Sequence, residues 1–394
     1  MLNPLSDDVR RNPFPIYEQV RRTSPLLHVP QADAWMIFDY DGAKRALTDD
    51  DVFSSSMGTA GRRNPEWFIF YDAPRHTLTR ALISRAFTPR VVTGLEPRIR
   101  QLSRELLNQT IERGEMDLAA DFSIPLPLMV IAELLGAPGE DRPHFRRWSD
   151  AMLELSYTLS AGPAADDASR AYADAAAEMH TYLMGVLEQR RTAPRDDLLS
   201  RLLEAEIDGE RLTDEEILGV FQLLLIAGHE TTTNLLNNAF LCLVEHPAQL
   251  ARVQAAPDLL PSLIEEVLRY RSPVQWMFRA TRRAVELHGQ VIPAGKLVLP
   301  VIGAANRDPA QFSDPDAFDI GRTPNPHIAF GHGIHFCLGA ALARLEAKVA
   351  LADLLEHLRD FALASDQPWQ PRKALHVLGP SALPVRFAAA SRLQ

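Results

Sequence analysis

A chain of 394 residues with 46% hydrophobic and 23% charged residues has the composition of a globular protein with a large core. It contains no Gly/Ser tract, charge block or repeat that would mark a linker, so we expect one domain spanning residues 1–394. The net charge of -10 and the lack of clustered Lys and Arg argue against a nucleic-acid partner.

The sequence predicts a cytoplasmic protein without a membrane anchor. Its N-terminus has neither the basic start nor the apolar run of a secretory signal. The longest apolar run, near Leu223–Ala227, is far too short to span a bilayer. The two cysteines, Cys242 and Cys337, predict no disulfide framework, as is typical of a reducing compartment.

The first elements predict short helices beside a small sheet. A helix from Asn12 to Arg22 precedes two strands, Leu26–Val29 and Trp35–Phe38, joined by a polar turn. Helical periodicity then dominates from Val91 to about Arg191. It is interrupted near residues 136–139 and by the alanine-rich stretch Ser160–Ser169, which is predicted to be flexible.

The segment Met57–Tyr71 has loop composition but is rich in aromatic side chains. These are Trp67, Phe68, Phe70 and Tyr71. They either line a substrate pocket or pin the loop to the core, and the sequence favours neither reading. Arg62 and Arg63 in the same segment suggest a carboxylate on the substrate, although two solvated arginines are the simpler interpretation.

A helix is predicted to start in the stretch Asp72–Arg80. Asp72 is placed to cap it and Pro74 stands in its first turn. His76 and Arg80 are four residues apart, so both project from one face of this helix.

A much longer helix follows the capping box that begins at Thr213. Its apolar pattern runs without proline to about Glu245, which gives about 33 residues or roughly 50 Å. The middle, Ala227–Thr232, contains one Gly and two Thr, which weaken helix propensity at the centre of the element. Such a defect in a buried helix indicates a functional reason.

The stretch Phe330–Gly339 carries one of the two cysteines among several glycines. Cys337 alone cannot close a zinc site, but one thiolate can serve as an axial ligand to haem. Gly331 and Gly333 permit a tight turn, and Gly339 lets the following helix approach a flat ring. That helix has an apolar face at Leu338, Leu342, Leu345 and Val349, and we expect Arg344, Glu346 and Lys348 to be solvated.

Two competing motifs fail on spacing. His229-Glu230 begins like the His-Glu-x-x-His motif of zinc proteases, but the fifth position is Thr233. Gly331-His332-Gly333 begins like a dinucleotide-binding loop, but the third glycine position is Phe336.

The loop Phe330–Gly339 resembles the haem-binding signature of the cytochrome P450 family, and motifs in the family's order extend the resemblance from Pro13 to about Arg386. It implies a mainly α fold with a minor β-sheet region and haem b between the long central helix and the cysteine loop. In this resemblance Glu230 is the acid and Thr231 the alcohol that manage protons for oxygen activation. The small Ala227 and Gly228 leave room for dioxygen, and His229 has no assigned role.

The resemblance also assigns the remaining site residues. His76, Arg80, Arg279 and His335 would bind the haem propionates. Phe330, Gly331 and Gly339 would line the cofactor. Glu266, Arg269 and Arg322 would form a buried charge network that braces the haem loop. The low-order stretch Ser160–Ser169 would be a lid, and the pocket would include Trp67, Phe68, Phe70, Met277, Phe278 and Leu378.

The function implied is a haem-thiolate monooxygenase that acts on an apolar small molecule. With no reductase motif in the chain, electrons would come from NAD(P)H through a ferredoxin and its reductase. Arg344 and Lys348 are candidates for ferredoxin docking, against the alternative that they are solvated helix charges. Two other functions stay open: a peroxide-driven peroxygenase, and a haem-thiolate sensor without catalysis.

Overall fold

The computed structural model describes residues 6–56, 66–157 and 163–393. The α-helices of these residues are α1 (Asp7–Arg11), α2 (Phe14–Thr23), α3 (Tyr40–Thr48), α4 (Arg75–Ala86), α5 (Pro89–Gly94), α6 (Glu96–Leu107), α7 (Pro125–Leu134), α8 (Arg142–Tyr157), α9 (Pro163–Thr192), α10 (Leu198–Glu204), α11 (Asp214–Glu245), α12 (Pro247–Ala255), α13 (Leu260–Tyr270), α14 (Ile302–Ala305) and α15 (Ala340–His357). The strands are β1 (Leu26–Val29), β2 (Ala34–Ile37), β3 (Phe53–Ser54), β4 (Glu115–Asp117), β5 (Arg279–Thr281), β6 (Val285–Leu287), β7 (Gln290–Ile292), β8 (Leu297–Pro300), β9 (Arg359–Leu363) and β10 (Pro384–Ala388).

The strands form one larger and two smaller sheets. The five-stranded sheet has the order β1-β2-β8-β5-β3, in which β2 and β8 are parallel and the other neighbours antiparallel. β4, β10 and β9 form a three-stranded sheet, and β6 and β7 a hairpin. Strands predicted near residues 26–29 and 35–38 are therefore confirmed, and the mainly helical fold with a minor sheet is as expected.

Helix α11 is the central element of the fold. The predicted capping box is present: the Thr213 hydroxyl accepts from the Glu216 backbone N–H, and the Glu216 carboxylate accepts from the Thr213 N–H. α11 contacts α7, α8, α13 and α15, and most of its 32 residues are buried. α15, on which it packs, is the helix that follows the loop carrying Cys337. No helix within the described residues is long and apolar enough to cross a bilayer.

The prediction that Asp72 caps α4 is wrong. α4 begins at Arg75, and the Asp72 carboxylate instead accepts hydrogen bonds from the Ser54 hydroxyl and the Ser55 N–H. It also pairs with Arg282 at 2.6 Å. Asp72 thus ties the start of α4 to the edge of the five-stranded sheet, and partners distant in sequence outweigh the local capping preference.

One further prediction of local order needs correction. α9 begins at Pro163, so the part of the expected low-order stretch from 163 to 169 is helical, while residues 158–162 lie outside the described residues. The segment around Leu378 is held by isolated bridges, Val274 to Val377 and Pro371 to Pro380.

The prediction that Glu346 is solvated is also wrong. Its side chain lies on the buried face of α15 with 1% of its surface exposed, and its Oε2 has no hydrogen-bond partner in the described residues. Burial raises the pKa of Glu346 to about 8. Helical spacing alone did not reveal this because α15 is covered on several sides, by α5, α6, α11 and α13.

The buried Glu346 predicts a pH-dependent stability. The unfolded chain releases this proton near pH 4.5 but the folded chain near pH 8, so the folded state loses stability as pH rises through that window. The expected slope from this group is at most about 1.4 kcal/mol per pH unit. Urea unfolding of Glu346→Gln should show a correspondingly flatter dependence between pH 5 and 8, whereas the exposed control Glu356→Gln should follow the wild type. Identical slopes for Glu346→Gln and wild type would contradict the prediction.

Candidate functional site

The loop Phe330–Gly339 forms a tight turn that presents Cys337 next to the start of α15. Gly331 and Gly333 have φ values of 71° and 72°, which favour glycine. A Cβ on Gly333 would lie 2.8 Å from the Leu47 carbonyl of α3, so the loop packs directly on that helix. The Cys337 N–H donates to the Phe330 carbonyl at 2.9 Å. These contacts fix the direction in which the sulfur points.

Two histidines from different elements meet beside this loop. The rings of His76, on α4, and His335 lie 3.9 Å apart between centroids. Both ring nitrogens of His76 and the Nε2 of His335 are buried without a hydrogen-bond partner in the described residues. Burial lowers the pKa of His76 to about 4 and that of His335 to about 3, and Arg80 and His76, respectively, add to the effect. Such unsatisfied groups require an explanation, and an external polar ligand is the simplest.

Two arginines complete the set of basic groups. Arg279 on β5 is 4% exposed, and burial lowers its pKa to about 10. Its Nη1 donates to the Phe278 carbonyl at 2.7 Å. Arg80 donates to the Phe336 carbonyl at 2.5 Å, and burial lowers its pKa as well, although the Cys337 thiolate opposes the shift. The four predicted basic residues therefore lie together. The nearby negative charge does not offset the effect of burial, so the pKa of each of the four groups is lowered.

One face of α11 borders an open cleft at the weak point of the helix. Ala227 is exposed and Thr231 half-buried, although Leu225, His229 and Glu230 nearby are buried. The Thr231 hydroxyl donates to the Ala227 carbonyl at 2.6 Å, a bond from residue i to i−4 that loosens the regular helix ladder.

Gly228 faces another way than its predicted role requires. A Cβ there would lie 2.4 Å from Cδ1 of Ile131, so the missing side chain permits close packing of α11 on α7. The small residue on the cleft side is Ala227. The structure therefore explains Gly228 by helix packing rather than by room for dioxygen.

The predicted charge network forms and is completely buried at its centre. Glu266 and Arg269 are 0% exposed and share two hydrogen bonds of 2.8 Å. Arg322 donates to Glu266 at 3.2 Å. The Asp319 N–H and the Asn325 amide also donate to Glu266, at 3.0 and 3.1 Å. Every lone-pair direction of this carboxylate is thus used, as a buried charge requires.

Asn306, which the sequence did not single out, connects this network to the cysteine loop. Its carbonyl accepts from Arg269 at 3.1 Å, and its side-chain oxygen accepts from the Ile328 N–H at 2.8 Å. The Ile328 carbonyl in turn accepts from the Gly331 N–H at 2.9 Å. The charge network therefore supports the start of the loop through a continuous path of hydrogen bonds.

A second anchor involves Arg344, predicted to be a solvated or docking residue. It donates two hydrogen bonds of 2.7 and 2.8 Å to Glu265, and its guanidinium lies 4.5 Å from the centre of the Phe330 ring. His327 also lies 3.0 Å from Glu265. Burial opposes ionisation of Glu265, but the bonds to Arg344 and His327 outweigh it and lower its pKa to about 2. Arg344 therefore braces the loop and is not a free surface charge.

The predicted pocket aromatics before α4 pack on the N-terminal half of α11. Trp67 Nε1 donates to the Gln222 side chain at 3.0 Å and stacks on Phe70. Phe68 is buried, with its ring 6.2 Å from that of His76. These contacts are those expected of residues that pin the segment to the core. Arg62 and Arg63 lie outside the described residues.

The other predicted pocket residues occupy different surroundings. Met277 packs against the core beneath the five-stranded sheet. Phe278 contacts the ring of Trp276 edge-on, and Trp276 contacts His376 in turn. Leu378 is buried, and its backbone bonds to Pro273 and Asn238. Trp276 has no sequence motif and was not predicted.

The comparison with known families decides the identity of this arrangement. Residues 10–382 match the family model described as "Cytochrome P450". The chain belongs to the cytochrome P450 family.

Similar P450s are known in sequence and in structure. Cytochrome P450 monooxygenase PikC of Streptomyces venezuelae is 40% identical over 98% of this chain and 94% of its own. Cytochrome P450 CYP109Q5 from Chondromyces apiculatus has a TM-score of 0.91 and 40% identity, covering 99% of both chains. CYP109E1 from Bacillus megaterium, solved in complex with testosterone, has a TM-score of 0.88 and 42% identity, covering 95% of this chain and 99% of its own.

The P450 family implies a haem cofactor, and the residues present fit one. The orphaned nitrogens of His76 and His335, with Arg80 and Arg279, form a cationic set suited to two carboxylates such as haem propionates. A Cβ on Gly339 would meet no atom within 4 Å, which leaves space for a flat ring beside Cys337.

Removing the central charge of the network should destabilise this P450 strongly. Glu266→Gln leaves two arginines without a buried counter-ion, and we expect a loss of about 3–5 kcal/mol in free energy of unfolding together with reduced haem incorporation. The matched control is Glu112→Gln, whose ion pair with Arg392 is exposed, with an expected loss of about 1 kcal/mol or less. Urea unfolding and the ratio of haem to protein absorbance would measure both. Equal effects of the two substitutions would contradict the prediction.

Proposed function

We propose that this P450 is a haem-thiolate monooxygenase that inserts one oxygen atom from O2 into an apolar small molecule. Haem b, held by Cys337, supplies oxygen activation when bound, because a thiolate ligand favours cleavage of the O–O bond. The chain would work as one domain in the cytoplasm. Its electrons would come from NAD(P)H through a ferredoxin and a ferredoxin reductase.

The observation that carries this proposal is the cluster of basic residues beside Cys337, in which ring nitrogens of His76 and His335 are buried without a hydrogen-bond partner in the described residues. Burial lowers the pKa of all four basic groups, which come from α4, β5 and the cysteine loop. A dianionic ligand would favour the charged form of the histidines, pair with the arginines and satisfy the orphaned ring nitrogens. The carboxylate of Asp72 opposes the shifts of His76, His335 and Arg279 only in part, and the family cofactor has two further carboxylates.

Proton handling is assigned to Glu230 and Thr231. The Thr231 side chain lies on the cleft face of α11, where its hydroxyl now donates to Ala227 and retains oxygen lone pairs for a second partner. Glu230 is buried beside it and has a carboxylate that can exchange protons with water entering the cleft. Together the pair would deliver the protons that oxygen reduction consumes.

The substrate is proposed to be an apolar molecule of steroid size or smaller. Support comes from CYP109E1, which was solved with testosterone, and from the largely apolar residues Trp276 and Phe278, just before β5, and Leu378. Spectral titration with a steroid, a long-chain fatty acid and its methyl ester separates the candidates. Equal binding of acid and ester would remove any role for a carboxylate.

Two measurements test the function directly. The reduced protein with carbon monoxide should give a strongly red-shifted Soret band, which Cys337→Ser should abolish. Turnover under 18O2 with a ferredoxin, its reductase and NADPH should place one labelled oxygen in the product. Thr231→Ala should keep NADPH consumption but lower product yield several-fold, as expected when one proton donor is lost. Unlabelled product would contradict oxygen insertion from O2.

The two alternative functions have distinct outcomes in the same experiment. A peroxygenase would reach full turnover with hydrogen peroxide and no reductase. A sensor would bind haem and ligand but oxidise no NADPH with any donor system.

Ferredoxin docking is proposed on the cysteine loop and the exposed side of α15. Ile334 and Phe336 expose 38% and 40% of their surface, which is unusual for large apolar residues in this chain. Lys348, on the helix that follows this loop, is also exposed. Exposed apolar residues on the loop and a cation on the following helix suit an acidic partner that approaches from the side of Cys337.

Reversing the charge at Lys348 should therefore slow reduction by ferredoxin. For Lys348→Glu we expect a several-fold lower rate at low ionic strength and a smaller difference at high salt, where screening is strong. Arg359→Glu is the matched control, because Arg359 is exposed beyond the far end of α15, which is about 27 Å long. Stopped-flow reduction measures both. Equal rates for Lys348→Glu and Arg359→Glu would contradict docking at this face.

A further inference from the structure

His229 stands between Gly228 and the proposed acid Glu230, yet it points away from the cleft. Its side chain is 3% exposed, and its Nδ1 lies 2.8 Å from the Ser149 hydroxyl oxygen on α8. Ser149 is fully buried. Its Nε2 is also buried and has no hydrogen-bond partner within the described residues. The imidazole thus joins α11 to α8 through Nδ1.

The ring is neutral under ordinary conditions. Burial lowers the pKa of His229 to about 3, and the positive charges of Arg372 and Arg146 act in the same direction. A neutral imidazole has one N–H and one lone pair, and either can bond to the Ser149 hydroxyl, which can both donate and accept. His229 is therefore suited to holding position and not to carrying protons, despite its place next to Glu230.

Three contacts clamp this part of α11 on the sides away from the cleft. Besides the bond between His229 and Ser149, the Thr233 hydroxyl donates to the Ser123 carbonyl at 2.9 Å. The backbone at Gly228 packs on Ile131 of α7. On the cleft side the helix is weaker for two reasons. The Thr231 hydroxyl donates a hydrogen bond to the Ala227 carbonyl, and the glycine and threonines of this segment have low helix propensity.

Helix geometry connects these contacts to the reacting face. Residues two positions apart on an α-helix point about 200° apart, so His229 and Thr231 lie on nearly opposite sides. A rotation of the segment about the helix axis moves both together. The bond to Ser149 therefore restrains the direction of the Thr231 hydroxyl and of Glu230.

We propose that the hydrogen bond between His229 and Ser149 makes His229 a positioning residue that holds the Thr231 hydroxyl toward the cleft and the adjacent Glu230 in a fixed orientation relative to it. This inference rests on the proposed monooxygenase function. Coupled turnover converts RH, O2, NADPH and H+ to ROH, H2O and NADP+. With misplaced proton donors the same electrons go to NADPH + H+ + O2 → NADP+ + H2O2.

The test compares Ser149→Ala with Ser103→Ala. Both substitutions remove one fully buried hydroxyl, but in the described residues the Ser103 hydroxyl has no hydrogen-bond partner. For Ser149→Ala we expect about fivefold faster amide hydrogen exchange in residues 227–233 of the holoenzyme, the equivalent of one ordinary hydrogen bond. We also expect about fivefold more peroxide per NADPH, with the KM for substrate unchanged.

Three further variants separate positioning from general damage. Ser149→Thr keeps the hydroxyl and should restore exchange rates and coupling toward the wild type. His229→Leu should reproduce the effects of Ser149→Ala, and the double variant His229→Leu/Ser149→Ala should be no worse than His229→Leu alone. Additive effects on exchange, or Ser149→Ala behaving like Ser103→Ala, would overturn the inference.

The exchange measurement keeps this inference separate from the proposed function. If the wild-type protein forms no oxygenated product with any donor system, the function fails, and so does the role given to His229 in coupling. If the wild type is well coupled and exchange and peroxide release stay unchanged in Ser149→Ala, the function stands and the positioning role alone is overturned.

Discussion

The buried carboxylate of Glu266 is the constraint on which the cysteine loop depends. A charge without solvent contact is tolerated only when hydrogen bonds satisfy it, and here Arg269, Arg322, Asn325 and a backbone N–H do so. The two arginines use their remaining N–H groups on carbonyls between residues 306 and 317. These hydrogen bonds fix the irregular chain before Cys337 without regular secondary structure. The position of the Cys337 sulfur is fixed as a result.

Patterns confined to one segment predicted the fold well. The capping box of α11, its uninterrupted apolar pattern and the glycines around Cys337 each involve residues within a few positions of one another, and each has the expected structure. Predictions failed where a distant partner decides the outcome. Asp72 could cap α4 locally, but the strand edge at Ser54 and Ser55 binds its carboxylate instead. Glu346 looked solvated because helical spacing does not show how many neighbours cover a helix.

The same distinction between local patterns and distant partners holds for the candidate site. The spacing of His76 and Arg80 correctly indicated one face of a helix, but only the three-dimensional structure shows that both ring nitrogens of His76 lack a partner. Ser149, Asn306 and His327 were not predicted because their importance comes from residues at least 22 positions away, and no local motif marks them. The ion pair of Arg344 with Glu265 was not predicted for the same reason, since Glu265 lies 79 positions earlier.

Unsatisfied buried groups are informative here only in combination. Asn237 also has both side-chain polar atoms buried without partners in the described residues, but an amide carries no charge and one ordered water can satisfy it. The groups beside Cys337 differ because several are basic, lie within electrostatic range of one another and suppress each other's protonation. Water cannot relieve that repulsion, whereas an anion can. Mutual repulsion among unsatisfied groups, rather than the lack of partners alone, therefore distinguishes a ligand site from a merely hydrated interior.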